Sequence, residues 1–172
     1  MRYAIFLRAI NVGGRRIKMA ELRAAFEEAG FDDVATHLAS GNVIVSSSTR
    51  PSRTTASSIV QNRFGFSSDA FVRSRSEVRS VIDRVPWDPT ESTVEVSFIG
   101  VMPGRSAAEQ LEATAVPPEQ LCVSEHEVYF SRIGGGAETT HKEETAARIL
   151  DQATTRRGLK TIQGIYDRFL QA

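Results

Sequence analysis

An apolar run from Tyr3 to Ile10, broken only by Arg8, gives way to Asn11, a Gly13-Gly14 pair, and then Arg15, Arg16 and Lys18. A run of that length without polar alternation predicts a central strand covered on both faces. The chain must therefore supply further layers to bury it. Arg8 and the basic stretch cut the run well below the length of a membrane span or the apolar core of a signal peptide, so no membrane association is expected.

Downstream, Met19, Leu22, Phe26 and Ala29 recur at spacings of three or four, with Gly30 as a stop, which predicts a helix over about Lys18 to Ala29. Val34 to Ala39 and Val43 to Ser47 read as strands joined through Ser40-Gly41-Asn42, residue types that favour tight reversal. The stretch from Ser46 to Ser58, rich in Ser, Thr and Arg, reads as a surface loop entering a helix near Arg53 that carries Ala56, Ile59, Val60 and Phe64. Ala70 to Arg73 is a short strand, and Ser76 to Arg84 a helix with Val78, Val81, Ile82 and Val85 on one side.

Two prolines and the turn-forming Asp88 and Ser92 mark residues 86–93 as a connector between two structural units, 1–85 and 94–172. Beyond it, Val94, Val96 and Phe98 alternate with polar residues in a strand, and Ala107 to Thr114 forms a helix around Leu111. Gln120 to Ser124 and Val128 to Ile133 make a second hairpin. Gly134-Gly135-Gly136 opens a loop, and His141 to Gln152 and Leu159 to Leu170 are two closing helices.

The element order is β-α-β-β-α-β-α followed by β-α-β-β-α-α, an approximate repeat without residue-level identity between halves. The expected fold class is α+β: two ferredoxin-like, βαββαβ-type subdomains in tandem with mainly antiparallel sheets. With 172 residues and 41% hydrophobic content, the chain can bury two small cores. That layout hosts many unrelated functions, so activity must be argued from sites.

Over Leu7 to Leu22 and again over Ala39 to Val45 (ASGNVIV), the sequence resembles the bacterial family known as domain of unknown function 1697. The family runs from a strand through INVGG and a basic stretch into KM and a helix, then a Gly-Phe turn, here Gly30-Phe31, and SGN before apolar residues. The resemblance covers residues 1–47. It returns near Ala153 to Ile162, where Thr154-Thr155-Arg156-Arg157-Gly158 stands in place of a TTRNW-like motif. The loop before the penultimate helix departs too, with GGGAETTHKEE in place of a Gly followed by a Ser-Lys pair. The resemblance implies a two-part α+β fold and a soluble bacterial protein, and it implies no activity.

Charge is balanced over the chain, 21 basic residues against 21 acidic, so no global field favours nucleic acid or an anionic membrane. Residues 1–26 are the exception, with Arg2, Arg8, Arg15, Arg16, Lys18 and Arg23 against Glu21 alone. Glycine-permitted backbone at Gly13 and Gly14 beside Arg15, Arg16, Lys18 and the Asn11 amide is suited to holding an anion. The same glycines would serve a plain strand-to-helix connection. Neither GxxxxGK[ST] nor GxGxxG is present, which removes the P-loop and dinucleotide fingerprints.

Ser40 and Asn42 carry SGN, which resembles the SxN element of penicillin-recognising enzymes, but no SxxK serine nucleophile exists anywhere in the chain. A hairpin turn accounts for the motif. Sequence alone leaves open whether Ser40 approaches Asn11. Thr155 and Arg156, with Thr154, Arg157 and Lys160, would offer hydroxyl and guanidinium groups to an oxyanion at the start of the last helix, or simply cap it.

His37, His126 and His141 lack HxxxH or HExxH spacing, so no metal is expected and the cofactor is left undefined. His141 beside Lys142, Glu143 and Glu144 fits a charged first helical turn better than a general base. Cys122, the single cysteine, excludes an intramolecular disulfide and a CxxC pair, fits a reducing cytoplasm, and reads as a small buried hydrophobe. Base stacking of the RNA-recognition kind finds no aromatic on the third strand and at most one of Tyr3 and Phe6 on the first.

The leading expectation is a small anionic ligand, phosphorylated or nucleotide-like, held by Asn11, Gly13, Gly14, Arg15, Arg16 and Lys18. The alternatives are a nucleic-acid or protein-binding module using the same basic patch, and an enzyme whose polar site involves Ser40, Asn42 or the Thr154 to Arg157 cluster. Oligomeric state is left open.

Overall fold

The computed structural model describes residues 1–134 and 140–171. The chain divides into two compact units, Met1–Arg79 with Gly164–Ala172, and Ser80–Gln163. The division falls within a helix ahead of the irregular segment at residues 86–91, and residues 164 onward return to the first unit.

In the first unit, β1 (Arg2–Leu7), α1 (Met19–Glu28), β2 (Asp32–His37), β3 (Asn42–Ser46), α2 (Arg53–Phe64) and β4 (Ala70–Ser74) lead into α3 (Arg75–Asp83). The sheet order is β2-β3-β1-β4, with antiparallel pairing throughout. Strand alternation sends Tyr3, Ile5, Leu7, Val43, Val45, Ala70 and Val72 into one cluster with Leu22 and Phe26 of α1 and Ala56 and Val60 of α2. Ala4, Phe6, Ile44 and Phe71 alternate to the other face and are also buried. The apolar run of β1 is thus covered on both sides, at about 1.5–3 kcal/mol for each large side chain taken out of water.

Local chemistry sets the helix ends. Ser52 Oγ accepts from the Thr55 N–H at 2.9 Å to start α2, and Gly65, at φ 76°, ends it. Ser74 and Glu77 form a reciprocal capping box at α3: the Ser74 N–H donates to Glu77 Oε2 at 2.6 Å and the Glu77 N–H to Ser74 Oγ at 3.3 Å.

The second unit repeats the order: β5 (Ser92–Ile99), α4 (Arg105–Glu112), β6 (Glu119–Val123), β7 (Glu127–Ile133), α5 (Glu143–Leu150) and β8 (Thr154–Gly158), then α6 (Leu159–Ile165). Its separate antiparallel sheet has the order β6-β7-β5-β8, equivalent to the first. Ile99, Leu111, Val128, Phe130, Ala146 and Leu150 form a core here. Both units are therefore ferredoxin-like, and the two halves do not share a sheet.

Several local expectations are corrected. Thr154 to Arg157 is not a helix start but edge strand β8, paired with β5 from Ile99↔Thr154 to Glu95↔Gly158. It was hidden because Thr-Thr-Arg-Arg has no apolar alternation, although both threonines are buried. His141 precedes α5 instead of lying in its first turn. The last helix gives way after Ile165 to a π-helical turn, Tyr166–Leu170. Cys122 is only half-buried on β6. The expected loop residues Gly135 and Gly136 lie outside the described residues.

Candidate functional site

Antiparallel pairing of β1 with β3 brings the end of one to the start of the other, Phe6 opposite Asn42. The loop after β1 and the β2-β3 turn consequently meet at one edge of the first sheet. The Leu7 N–H donates to the Gly41 carbonyl at 2.8 Å. Gly41 has φ +82°, and a Cβ there would lie 2.7 Å from Ile10 Cγ1 and 3.2 Å from Leu7 Cβ. Only glycine meets both conditions.

Asn11 ties the two segments together. Its Oδ1 accepts from the Ile17 N–H at 2.6 Å, while Nδ2 donates to the Ile17 carbonyl at 3.2 Å and the Ala39 carbonyl at 2.8 Å. The Asn11 amide thus closes the loop on itself and fastens it to the turn. Asn42, buried at 1% exposure, donates through Nδ2 to the His37 carbonyl at 2.7 Å and to Ser40 Oγ at 3.0 Å. The INVGG and SGN segments are one hydrogen-bonded assembly.

Around it lies a cavity of about 400 Å³ lined by Asn11, Gly14, Arg15, Arg16, Ile17 and Ala39. Gly13 and Gly14 have φ of +60° and +85°, with nothing within 4 Å of where a Cβ would stand, so the backbone is open to close approach. The Arg15 guanidinium rests 4.3 Å from the centroid of the Phe66 ring, which orients it. Arg16 is exposed, and Lys18 is 4.0 Å from Glu21 across one turn. Among the described residues lining the cavity there is no carboxylate.

Of the residues expected to bind ligand, Asn11, Gly13, Gly14, Arg15, Arg16, Lys18, Ser40 and Asn42 belong to this assembly. Ile17 and Ala39 were missed, and their place follows from the Asn11 hydrogen bonds, which have no local sequence signature. Thr155 and Arg156 belong to the second unit.

There, Arg156 is largely buried between partners: Nη1 donates to the His141 carbonyl at 2.7 Å, Nε to Ser97 Oγ at 3.2 Å, and Glu95 lies 3.8 Å away. Its guanidinium carbon sits 3.8 Å from the centroid of the Phe130 ring. Burial pushes its pKa down, opposed first by Glu95 and then by Glu143. His141 Nε2 is 2.8 Å from Thr114 Oγ1, and burial, then Arg156, holds this imidazole below its ordinary value. Burial also brings Arg157 down to about 10. That still leaves the guanidinium charged near neutral pH, and its Nη1 donates to Thr155 Oγ1 at 2.9 Å and the Arg156 carbonyl at 2.7 Å. These groups stabilise β8 as a buried polar network.

No group of three or more His, Cys, Asp and Glu side chains among the described residues is placed to hold a metal ion. No helix among them is long and apolar enough to cross a membrane. Tyr3 and Phe6 are both buried, which removes them as base-stacking platforms.

No curated protein matches the chain in sequence. In fold it is similar to a conserved bacterial protein from Streptococcus pneumoniae, with a TM-score of 0.71 at 19% identity over 96% of this chain and 97% of that one. The family model described as protein of unknown function DUF1697 matches residues 1–129, a span that contains the whole Asn11 assembly, and the chain belongs to that family.

Proposed function

We propose that this protein binds a small anionic ligand, phosphorylated or nucleotide-like, at the loop between β1 and α1. The supporting observation is the cavity of about 400 Å³ walled by Arg15, Arg16 and the Gly14 backbone, with no acidic side chain among its described lining. Its volume lies within the range of roughly 300–1,000 Å³ usual for small-molecule sites. In this reading Arg15 and Arg16 neutralise the ligand, and the open backbone at Gly13 and Gly14 admits an oxyanion close to the main chain. Asn11 and Asn42 hold the loop and turn in place.

The test is a thermal-shift screen of nucleotides, sugar phosphates and oligonucleotides against the native protein and an Arg15→Ala, Arg16→Ala double variant. A phosphorylated compound is expected to raise the midpoint of the native protein more than that of the variant, since a ligand at a hundred times its Kd adds about 2.7 kcal/mol at the site the variant lacks. Equal responses, or none with the native protein, overturn the reading. Stabilisation confined to oligonucleotides and falling steeply with salt identifies a nucleic-acid module instead.

A further inference from the structure

A second, larger cavity of about 630 Å³ lies in the first unit, where the beginning of β1 and the end of β3 meet the first turn of α3. Three arginines line it, Arg2, Arg75 and Arg79, together with Ser46, Ser74, Ser76 and Tyr166. Among the described residues lining it there is no carboxylate. The arginines come from two separate stretches of chain, and β pairing sets Arg2 directly opposite Ser46.

Two of the cations are held in position. Arg75 Nη2 donates to the Gln171 carbonyl at 2.9 Å, and the Arg79 guanidinium carbon stands 5.7 Å from the centroid of the Tyr166 ring. The third, Arg2, is half-buried at the start of β1, opposite Ser46. Guanidinium groups brought to one cavity favour an oxyanion, whose oxygens accept charge-assisted hydrogen bonds from them. The amides of Ser74 and Glu77 are already occupied by the capping box, so the site rests on side chains and not on the helix end.

We propose that this cavity is a binding site for a phosphate monoester, with the phosphoryl group among Arg2, Arg75 and Arg79 and the organic body against Tyr166. The volume exceeds what a bare phosphate fills, and the buried ring of Tyr166 offers an apolar wall to the remainder of the ligand. The site shares no lining residue with the cavity at Arg15 and Arg16 and does not depend on it.

The test titrates phenyl phosphate, and separately inorganic phosphate, into ¹⁵N-labelled native protein while amide shifts are followed. Phenyl phosphate is expected to move the amides of Ser74, Ser76 and Arg79 and to leave Gly13 and Gly14 in place, with inorganic phosphate at least tenfold weaker. An Arg75→Gln, Arg79→Gln variant should raise the Kd at least tenfold, and an Arg15→Gln, Arg16→Gln variant should leave it unchanged. Shifts absent from Ser74, Ser76 and Arg79 overturn the proposal in the native protein alone, whatever the folding of the variants. Retention of affinity in the Arg75, Arg79 variant, or equal affinity for inorganic phosphate, overturns it as well.

Discussion

A methyl group added at Gly41 would stand 2.7 Å from Cγ1 of Ile10, closer than side-chain carbons pack, at a residue whose φ of +82° already disfavours any side chain. Gly41→Ala is therefore expected to lower stability by about 2–4 kcal/mol, combining left-handed backbone strain with overpacking. In urea unfolding, an Ile10→Ala, Gly41→Ala double variant should lose less than the sum of the two single changes, because removal of the Ile10 side chain relieves the clash. Strict additivity would show that the contact is not the cause.

Asn11→Ala removes the acceptor for the Ile17 N–H and the donor to the Ile17 and Ala39 carbonyls. The expected cost is about 1–3 kcal/mol, from unsatisfied partners as much as from lost bonds. Hydrogen exchange should accelerate at the Ile17 amide and in the Leu38 to Gly41 turn together. Asn11→Asp keeps the acceptor and loses the donors, so it should protect Ile17 while still loosening the turn.

Arg156→Ala is expected to destabilise the second unit by about 1–3 kcal/mol, since the His141 carbonyl and Ser97 Oγ lose a donor, Glu95 loses a nearby cation and Phe130 its stacked partner. Arg156→Lys should recover little, because an ammonium cannot donate in two directions while lying flat on the ring. Proteolytic cleavage within β8 under native conditions reports the loss.

His37 and His141 predict an acid sensitivity above the carboxylate range. Burial lowers both pKa values from 6.5, helped by Arg168 at His37 and by Arg156 at His141. The unfolded chain then takes up protons first as pH falls, so stability is full above 6.5 and declines as pH drops through that value toward the folded-state pKa. Glu77 acts lower: burial pushes its carboxyl up, but the Ser74 N–H and Arg50 outweigh this and hold it below 4.5. Its contribution is present above that value and is lost as pH falls further. The urea midpoint should therefore fall between about pH 7.5 and 5.5, and a His37→Asn, His141→Asn variant should flatten that slope without touching the drop below about pH 4.5.

The architecture could be read from pattern because its strongest elements carry apolar periodicity: β1 as a continuous run, α1 through Leu22 and Phe26, and the hairpin through Gly41. β8 escaped because its burial is carried by threonine and by arginine stems lying along the sheet, a chemistry that looks like a solvated turn when only letters are visible. The junction of Asn11 with Ala39 is a consequence of strand order, which no local spacing encodes. Arg2, Arg75 and Arg79 were legible as charges but not as neighbours, since the register of β1 against β3 and β4 is what assembles them.

The return of Gly164 and the residues after it to the first unit has a consequence for the order of assembly. In a nascent chain β1 leaves the ribosome well before the π-helical turn that carries Tyr166. Residues 80–163 have by then all been translated. The first unit is thus interrupted by the whole of the second, and until residues 164–171 are made it must wait with Tyr166 missing from its wall.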